Sequence, residues 1–377
     1  LKDKTGRSLE IQSIKLIQFK NYREEFLLFS PALNCILGLN GMGKTNLLEA
    51  IYYLCMCKNS RSLSDRRLIL HGCSFFRLEG HFLKQEGKED KVVAKVAPGR
   101  KKEFERNGAP YERLSEHVGR FPVVFISPDD SSLVVDGSEE RRRFLDNTLS
   151  QIDSQYLQSL ILYNRLLKQR NASLKQFQES GYFEGALLDT YDAQLIQPAE
   201  YVFQKRTTFV QELTPLFQNY YQNISSGKEA VNCFYSSALQ EASFQELLSG
   251  AREKDRMLGR TTEGIHRDDL DLKLDGMKAR RLASQGQLKS FVLALRLAQF
   301  ALLKKEKEIT PILLLDDIFD KLDEQRVKHL LRLLSKEPFG QVFVTDAYKH
   351  RLPELLGQLE MKAEHFIIHQ GEIVREN

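Results

Sequence analysis

LNCILGLNGMGKTNLLEAI, residues 33–51, decides the fold: a short apolar run meets a glycine-rich loop and then a helical pattern. Gly38, Gly43, Lys44 and Thr45 stand at the G-x-x-x-x-G-K-[ST] spacing of a phosphate-binding loop. Strand-like Ile36 and Leu37 precede it, and Leu47, Leu48 and Ile51 follow at helical intervals, so both flanks give the context the motif requires. Glycines let the backbone turn tightly and aim several N–H groups into one concavity, while the helix that follows adds roughly half a positive charge at its N-terminus. A polyphosphate fits there. Lys44 is then placed to neutralise β- and γ-phosphates, and the Thr45 hydroxyl to complete the shell of a magnesium ion. The loop alone names nucleotide binding, not function.

Working outward, PILLLDD at 311–317 reads as a buried parallel-type strand that delivers two carboxylates at its C-terminal end, where open α/β sheets place their ligands. This is a Walker B pattern, with Asp316 expected on the magnesium and Asp317 expected to orient or deprotonate the attacking water. Ser284, Gln285, Gly286 and Gln287 open a strong helical pattern ahead of it and resemble an ABC-type signature motif. A serine hydroxyl, an approachable glycine backbone and a helix N-terminus make a second γ-phosphate receptor. The bland reading is an N-capped helix. Residues 319–323, FDKLD, follow Walker B where such ATPases carry a D-loop, with Asp323 at its end.

Strands are predicted at 11–19, 26–29, 75–83, 91–97, 102–106 and 121–126, with turn signals at Gly87, Pro98-Gly99 and Asn107-Gly108. From Arg141 the texture turns helical. Ile152, Tyr156, Leu160 and Leu167 share one expected helix face, and Leu188, Leu195, Val202 and Phe209 another. Pro198 and Pro215 interrupt the second pattern and predict short helices rather than a long one. Strand texture returns at Gly264, then at 312–315, 341–345 and 365–369. The fold class is α/β, an ABC-type P-loop head with an antiparallel subdomain and an inserted, mainly helical lobe. The expected division is 1–128, 129–263 and 264–377.

With 377 residues, 42% hydrophobic and 28% charged, the chain can bury a substantial core in two or three domains of roughly 150 residues each. A net charge of +4 permits a nucleic-acid partner without requiring one. Cys35, Cys55, Cys57, Cys73 and Cys233 show no paired spacing, so reduced thiols of a cytoplasmic protein are expected, not a zinc site or disulfide framework. Neither a signal peptide nor a membrane span is expected.

Taken together, the order FKNYR, GLNGMGKTN, CKNSRS, SPDD, ERRRFLD, GIHRDDL, ASQGQ, LLLDDIFDKLD and QVFVT resembles the RecF family, recombination-repair ATPases related to SMC proteins. The resemblance covers 19–51 and 264–345 best and is weakest through the helical lobe. It implies a slow, DNA-stimulated ATPase using ATP and Mg2+, whose ATP-dependent homodimer binds double-stranded DNA at gap junctions. RecR and RecO proteins are the implied partners, in loading RecA. It gives Gly38, Asn40, Gly41, Gly43, Lys44, Thr45 and Asn46 to the phosphates and Asn21, Tyr22 and Arg23 to the base or ribose. Ser284, Gln285 and Gly286 go to a nucleotide held by the partner subunit, and Asp323 to the dimer seam. No Q-loop glutamine appears in FISPDD, so Asp129 or Asp130 is expected to help with magnesium; Thr345 stands where a switch histidine would be and is expected to sense the γ-phosphate. His266 and Arg267 are family-like, without an assigned role.

Arg61, Arg66 and Arg67, then Arg100 with Lys101 and Lys102, are candidate DNA-phosphate contacts, as are 141–143 and Lys278, Arg280 and Arg281. Two other functions fit the motifs: an ABC transporter-type subunit serving a membrane partner, and a scaffold that binds ATP without useful turnover. The FKNYR opening and the large helical insertion favour an SMC-like head over the transporter subunit.

Overall fold

The computed structural model describes residues 8–61, 64–84, 87–225, 229–321, 324–336, 339–348 and 351–375. The chain divides into two compact units. One comprises Leu1–Ser131, Tyr220–Lys228 and Ser284–Asn377; the other comprises Ser132–Asn219 and Glu229–Ala283.

The first unit opens with β1 (Leu9–Phe19), β2 (Tyr22–Leu28), β3 (Leu33–Leu37) and helix α1 (Lys44–Met56). It continues with β4 (Phe76–Lys84), β5 (Lys88–Val96), β6 (Glu103–Arg106), β7 (Ala109–Pro110) and β8 (Val123–Ile126). The second unit holds α2 (Ser132–Val135), α3 (Ser138–Ile152), α4 (Ser154–Ser180), most of α5 (Gly185–Ser225), β9 (Val231–Ser236), α6 (Phe244–Leu258), β10 (Asp269–Leu274), β11 (Met277–Lys278) and α7 (Ala279–Leu282). The chain then returns to the first unit with α8 (Gln285–Lys307), β12 (Ile312–Leu315), α9 (Glu324–Lys336), β13 (Val342–Asp346), α10 (Arg351–Gln358), β14 (Ala363–His369) and β15 (Glu372–Arg375).

Two six-stranded sheets form the first unit. One is antiparallel, in the order β2-β1-β4-β5-β6-β7; the other runs β15-β14-β3-β13-β12-β8 and is parallel except for the β14/β15 hairpin. Leu47, Leu48, Ile51, Tyr53 and Leu54 of α1 join side chains of both sheets in one core. A helix buried on nearly every side needs no amphipathic pattern, which is why the α1 sequence is apolar almost throughout. β3 has all five residues buried and is apolar except for Asn34, whose side chain bonds the Ser30 backbone.

Three expectations are corrected. Both prolines lie inside the 41-residue α5. Each costs about 3 kcal/mol in a helix interior, but burying one large apolar side chain is worth roughly 1.5–3 kcal/mol. Leu188, Leu195, Val202, Phe209, Leu213 and Phe217 are all buried along it, so tertiary packing outweighs local propensity. The face expected to run from Ile152 to Leu167 is broken at Asp153, whose carboxylate caps α4 by accepting the N–H groups of Gln155 (2.8 Å) and Tyr156 (3.1 Å). Of that face only Tyr156 is buried; the other buried positions of α4 are Tyr163, Leu166, Arg170, Ser173 and Leu174. The β9–β10–β11 sheet, whose strand texture suggested a return to the head at Gly264, belongs to the second unit, and the compact units part between Ala283 and Ser284.

Candidate functional site

Register brings four strand ends to one edge of the parallel sheet. Ile36 of β3 lies opposite Thr345 of β13, Val344 of β13 opposite Leu315 of β12, and Leu315 opposite Ile126 of β8. The glycine-rich loop, Asp346, Asp316-Asp317 and the turn Pro128–Ser131 all leave the sheet at this edge. β13 separates the glycine-loop strand from the Asp316 strand, which puts Thr345 between the two motifs.

The loop is a strained, braced cradle. Gly38 (φ 153°) and Gly43 (φ 123°) adopt conformations that side chains rarely tolerate. A Cβ on Gly43 would also stand 2.7 Å from Asn21 Nδ2. Lys44, only 3% exposed, bends back over the loop: its Nζ donates to Gly38 O (2.8 Å) and Asn40 Oδ1 (3.3 Å) and lies 3.8 Å from Asp317 Oδ1. The first turn of α1 carries no acidic residue, so its N-terminal partial charge stays available to an anion.

From the far side of the sequence comes the carboxylate pair. Thr45 Oγ1 donates to Asp316, 2.9 Å from either oxygen, across 271 positions of chain. Thr345 Oγ1 lies 2.9 Å from Asp316 Oδ1 and accepts the Asp317 N–H at 2.7 Å. Burial raises the Asp316 carboxyl to about 6 even though the Thr345 and Thr45 hydroxyls pull it down and the Asp317 charge adds a smaller upward push. A hydroxyl and a carboxylate converging beside an ammonium form a hard-oxygen donor set, which suits a magnesium ion on a phosphate. Asp317, at φ 42°, presents its carboxylate to the edge rather than to the core.

Ser284 caps α8 in a reciprocal box: its Oγ accepts the Gln287 N–H (3.3 Å) while Gln287 Oε1 accepts the Ser284 N–H (2.7 Å). Both Ser284 and Gln285 are exposed. Gly286 sits under the guanidinium of Arg326, which a Cβ there would meet at 2.7 Å. Asp323 lies outside the described residues.

Several candidates take other places. Tyr22 is fully buried and its hydroxyl donates to Gly43 O (2.9 Å), so its ring cannot reach a base. Asn21 donates to Met42 O (2.8 Å) and accepts from Asn46 Nδ2 (2.7 Å). Asn21, Tyr22 and Asn46 brace the loop from behind, and Arg23 alone of the 21–23 stretch is exposed. Asp130 is engaged by Arg296 of α8 in a mostly buried pair (2.6 Å), while Asp129 makes an exposed surface pair with Arg61 (2.7 Å). Thr345 is fully buried and orders the two aspartates rather than facing a phosphate.

Among the basic clusters, Arg66, Arg67 and Lys101 are exposed, whereas Lys102 is held by Asp65 (2.6 Å) and the Cys57 carbonyl (3.3 Å). Arg141 grips Asp269 with two bonds (2.6 and 3.1 Å) and the carbonyls of Leu133 and Asp136, so it is structural; Arg143 pairs with Glu139 and Glu140 on the surface. In the second unit, His266 accepts from the Tyr163 hydroxyl at Nδ1 (2.7 Å), with Nε2 toward Thr261 O (3.2 Å), a structural histidine; Arg267 is exposed.

Lys20, Glu49 and Arg296 were not singled out from sequence. Burial lowers the Lys20 ammonium, against the Glu49 and Asp316 carboxylates that favour its charge, which sets Lys20 in the electrostatic surround of the site. Glu49, on α1, accepts from Ser60 and so ties the 57–61 segment to the loop helix. A lone arginine inside FVLALRLAQF was the available signal for Arg296, because a charge in an apolar helix needs a partner.

Residues 10–363 match the RecF/RecN/SMC N-terminal domain family. The DNA replication and repair protein RecF of Phocaeicola vulgatus is 41% identical over 364 residues, covering 96% of this chain and 97% of the relative. The chain belongs to the RecF family. Its counterpart in Porphyromonas gingivalis is 40% identical over 364 residues, covering 96% of this chain and 99% of the relative. A solved structure of the recombination mediator protein RecF with ATP, in the RecFOR pathway, superposes with a TM-score of 0.90 at 27% identity over 100% of both chains. An Smc head bound to the C-winged helix domain of ScpA shares the fold, with a TM-score of 0.59 at 15% identity over 97% of each chain. The fold is therefore the ABC-type ATPase head of SMC-like proteins with a helical lobe.

Proposed function

We propose that this RecF-family chain is an ATP-dependent DNA-repair ATPase that dimerises around ATP on duplex DNA at gap junctions and acts with RecR and RecO proteins in loading RecA. The observation that carries the nucleotide chemistry is the meeting of Thr45 with Asp316, two motif residues 271 positions apart. Support for the partners comes from relatives that are DNA replication and repair proteins and from the ATP-bound recombination mediator.

In this reading Lys44 leaves its loop carbonyls for the β- and γ-phosphates, and the N–H groups of 40–45 close on the same oxygens. Thr45 Oγ1 and the Asp316 carboxylate would hold Mg2+, which supplies charge neutralisation on the phosphate oxygens when bound. Asp317 orients the attacking water and accepts its proton at a carboxylate oxygen. Ser284, Gln285 and the Gly286 backbone present donors to the γ-phosphate held by a partner subunit. Arg66, Arg67 and Lys101 supply phosphate contacts to DNA, with Arg61 joining if its exposed pair with Asp129 opens.

Sedimentation with ATP, ADP and neither tests the scheme, together with phosphate release on gapped duplex. Lys44→Met is expected to abolish both the ATP-driven dimer and DNA retention, and Asp317→Asn to prolong them. Unaltered dimerisation and DNA retention in both variants would refute it. A chain that dimerises without releasing phosphate on any DNA would be an ATP-switched scaffold instead.

A further inference from the structure

The S-Q-G-Q turn is carried by α8, and α8 is held unevenly. Beneath its first turns lies a cavity of about 390 Å3, with Leu288, Val292 and Leu293 on the helix side and Ile126, Pro128 and Asp317 opposite. One turn further along the same face, Arg296 closes onto Asp130: NH2 donates to Oδ1 (2.6 Å) and Nε to Oδ2 (3.2 Å), with side chains 15% and 12% exposed. The helix is thus packed from Ser290 onward and pinned by the Arg296–Asp130 latch, while its first turns lie over open volume.

On its other side the latch is tied to the catalytic strand end. Asp130 Oδ2 also accepts the N–H of Ser127 (2.9 Å), the residue after β8, and the Ile126 carbonyl accepts the N–H of Asp316 (2.8 Å). An unbroken path of β8 backbone and hydrogen bonds therefore runs from Asp316 to Arg296. Ser284 stands twelve positions before Arg296. At 1.5 Å per residue that is an arm of about 18 Å, so a tilt of about 10° at the latch would carry Ser284 by about 3 Å, the difference between making and missing a hydrogen bond.

We propose that Asp130 is a positioning residue that acts through Arg296 to set the angle of α8, and with it the reach of Ser284 and Gly286, according to the state of the Asp316 strand end. This rests on the reading of Ser284–Gly286 as the surface that meets a partner's nucleotide. Asp130 is engaged by Arg296 and the Ser127 N–H rather than by the glycine-rich loop. Its loss therefore separates two quantities that loss of a phosphate-binding residue would change together: ATP affinity of the monomer, and assembly of the ATP-bound dimer.

The test measures both in Asp130→Asn, Arg296→Lys and the exchanged pair Asp130→Arg with Arg296→Asp, each checked by thermal melting. Fluorescent ATP-analogue binding to dilute monomer should stay within about twofold of wild type in the single variants, while the dimer dissociation constant in ATP rises tenfold or more. The exchanged pair should recover part of that loss. The lysine variant keeps the charge but not the two-pronged grip and should fall between wild type and Asp130→Asn. Dimerisation of Asp130→Asn and Arg296→Lys at the wild-type level would overturn the proposal, as would a parallel loss of monomer ATP binding. Failure of the wild type to dimerise in ATP would instead overturn the proposed function.

Discussion

Replacing Tyr22 by phenylalanine separates a residue that braces the loop from one that reads the base. The hydroxyl donates to Gly43 O at 2.9 Å, and that carbonyl also accepts the Leu47 N–H at 3.1 Å. Removing the hydroxyl therefore leaves no orphaned acceptor, and the loss is that of one neutral buried hydrogen bond, about 1 kcal/mol. If all of it falls on the binding-competent loop, ATP affinity drops about fivefold. If it falls on the folded unit, the melting temperature drops by about 2–4 °C. Asn21→Ala removes two bonds, to Met42 O and from Asn46, and is expected to cost about 2 kcal/mol, up to thirtyfold in affinity. Because Met42 and Gly43 are neighbours, the double variant should lose less than the sum. Calorimetric titration with ATP and GTP measures each effect. The ratio of the two affinities should be unchanged in Tyr22→Phe, and a shifted ratio or a hundredfold loss would place the ring against the base and refute the bracing argument.

Arg206 is buried among Asp146 (2.8 Å), Asp268 (3.2 Å), the Tyr156 hydroxyl (3.1 Å) and the Ile265 carbonyl (2.8 Å). Arg206→Ala should destabilise the second unit by about 3–5 kcal/mol, seen as lost hydrogen-exchange protection there; protection equal to wild type would contradict it. Burial pushes His117 down to about 4, its Nε2 toward Leu54 O (2.7 Å) and its buried Nδ1 without a hydrogen-bond partner among the described residues. The unfolded chain protonates this group near pH 6.5 and the folded chain only near 4, so stability falls as pH drops through that window. By pH 5 the cost reaches about 2 kcal/mol, which wild type should lose in urea midpoint and His117→Phe should not; equal slopes in the two proteins would sink the assignment. For DNA, Arg66→Ala combined with Lys101→Ala should reduce the log–log salt slope by about 0.9 for each DNA phosphate that is no longer neutralised. Lys102→Ala, whose ammonium is already held by Asp65, should change that slope little, and the reverse order would redirect the DNA footprint.

The nucleotide chemistry was written locally, because a phosphate cradle needs its glycines, lysine and threonine consecutively, and an apolar run ending in two aspartates announces both a buried strand and its exit. Which partners the polar groups take was not written there. Asp130 looked as free as Asp129 until α8 brought Arg296 against it, and Tyr22 looked available to a base until the sheet sealed it behind Gly43. The two prolines of α5 were read by local cost, which a buried stripe along the helix outweighed. Sequence alone determined the motifs, the α/β class and the inserted helical lobe, since each depends on residues close together in the chain. Tertiary structure decided which carboxylates remain available for chemistry and which are consumed as ion pairs, because the deciding partner can lie far along the chain, as Arg296 lies 166 positions from Asp130.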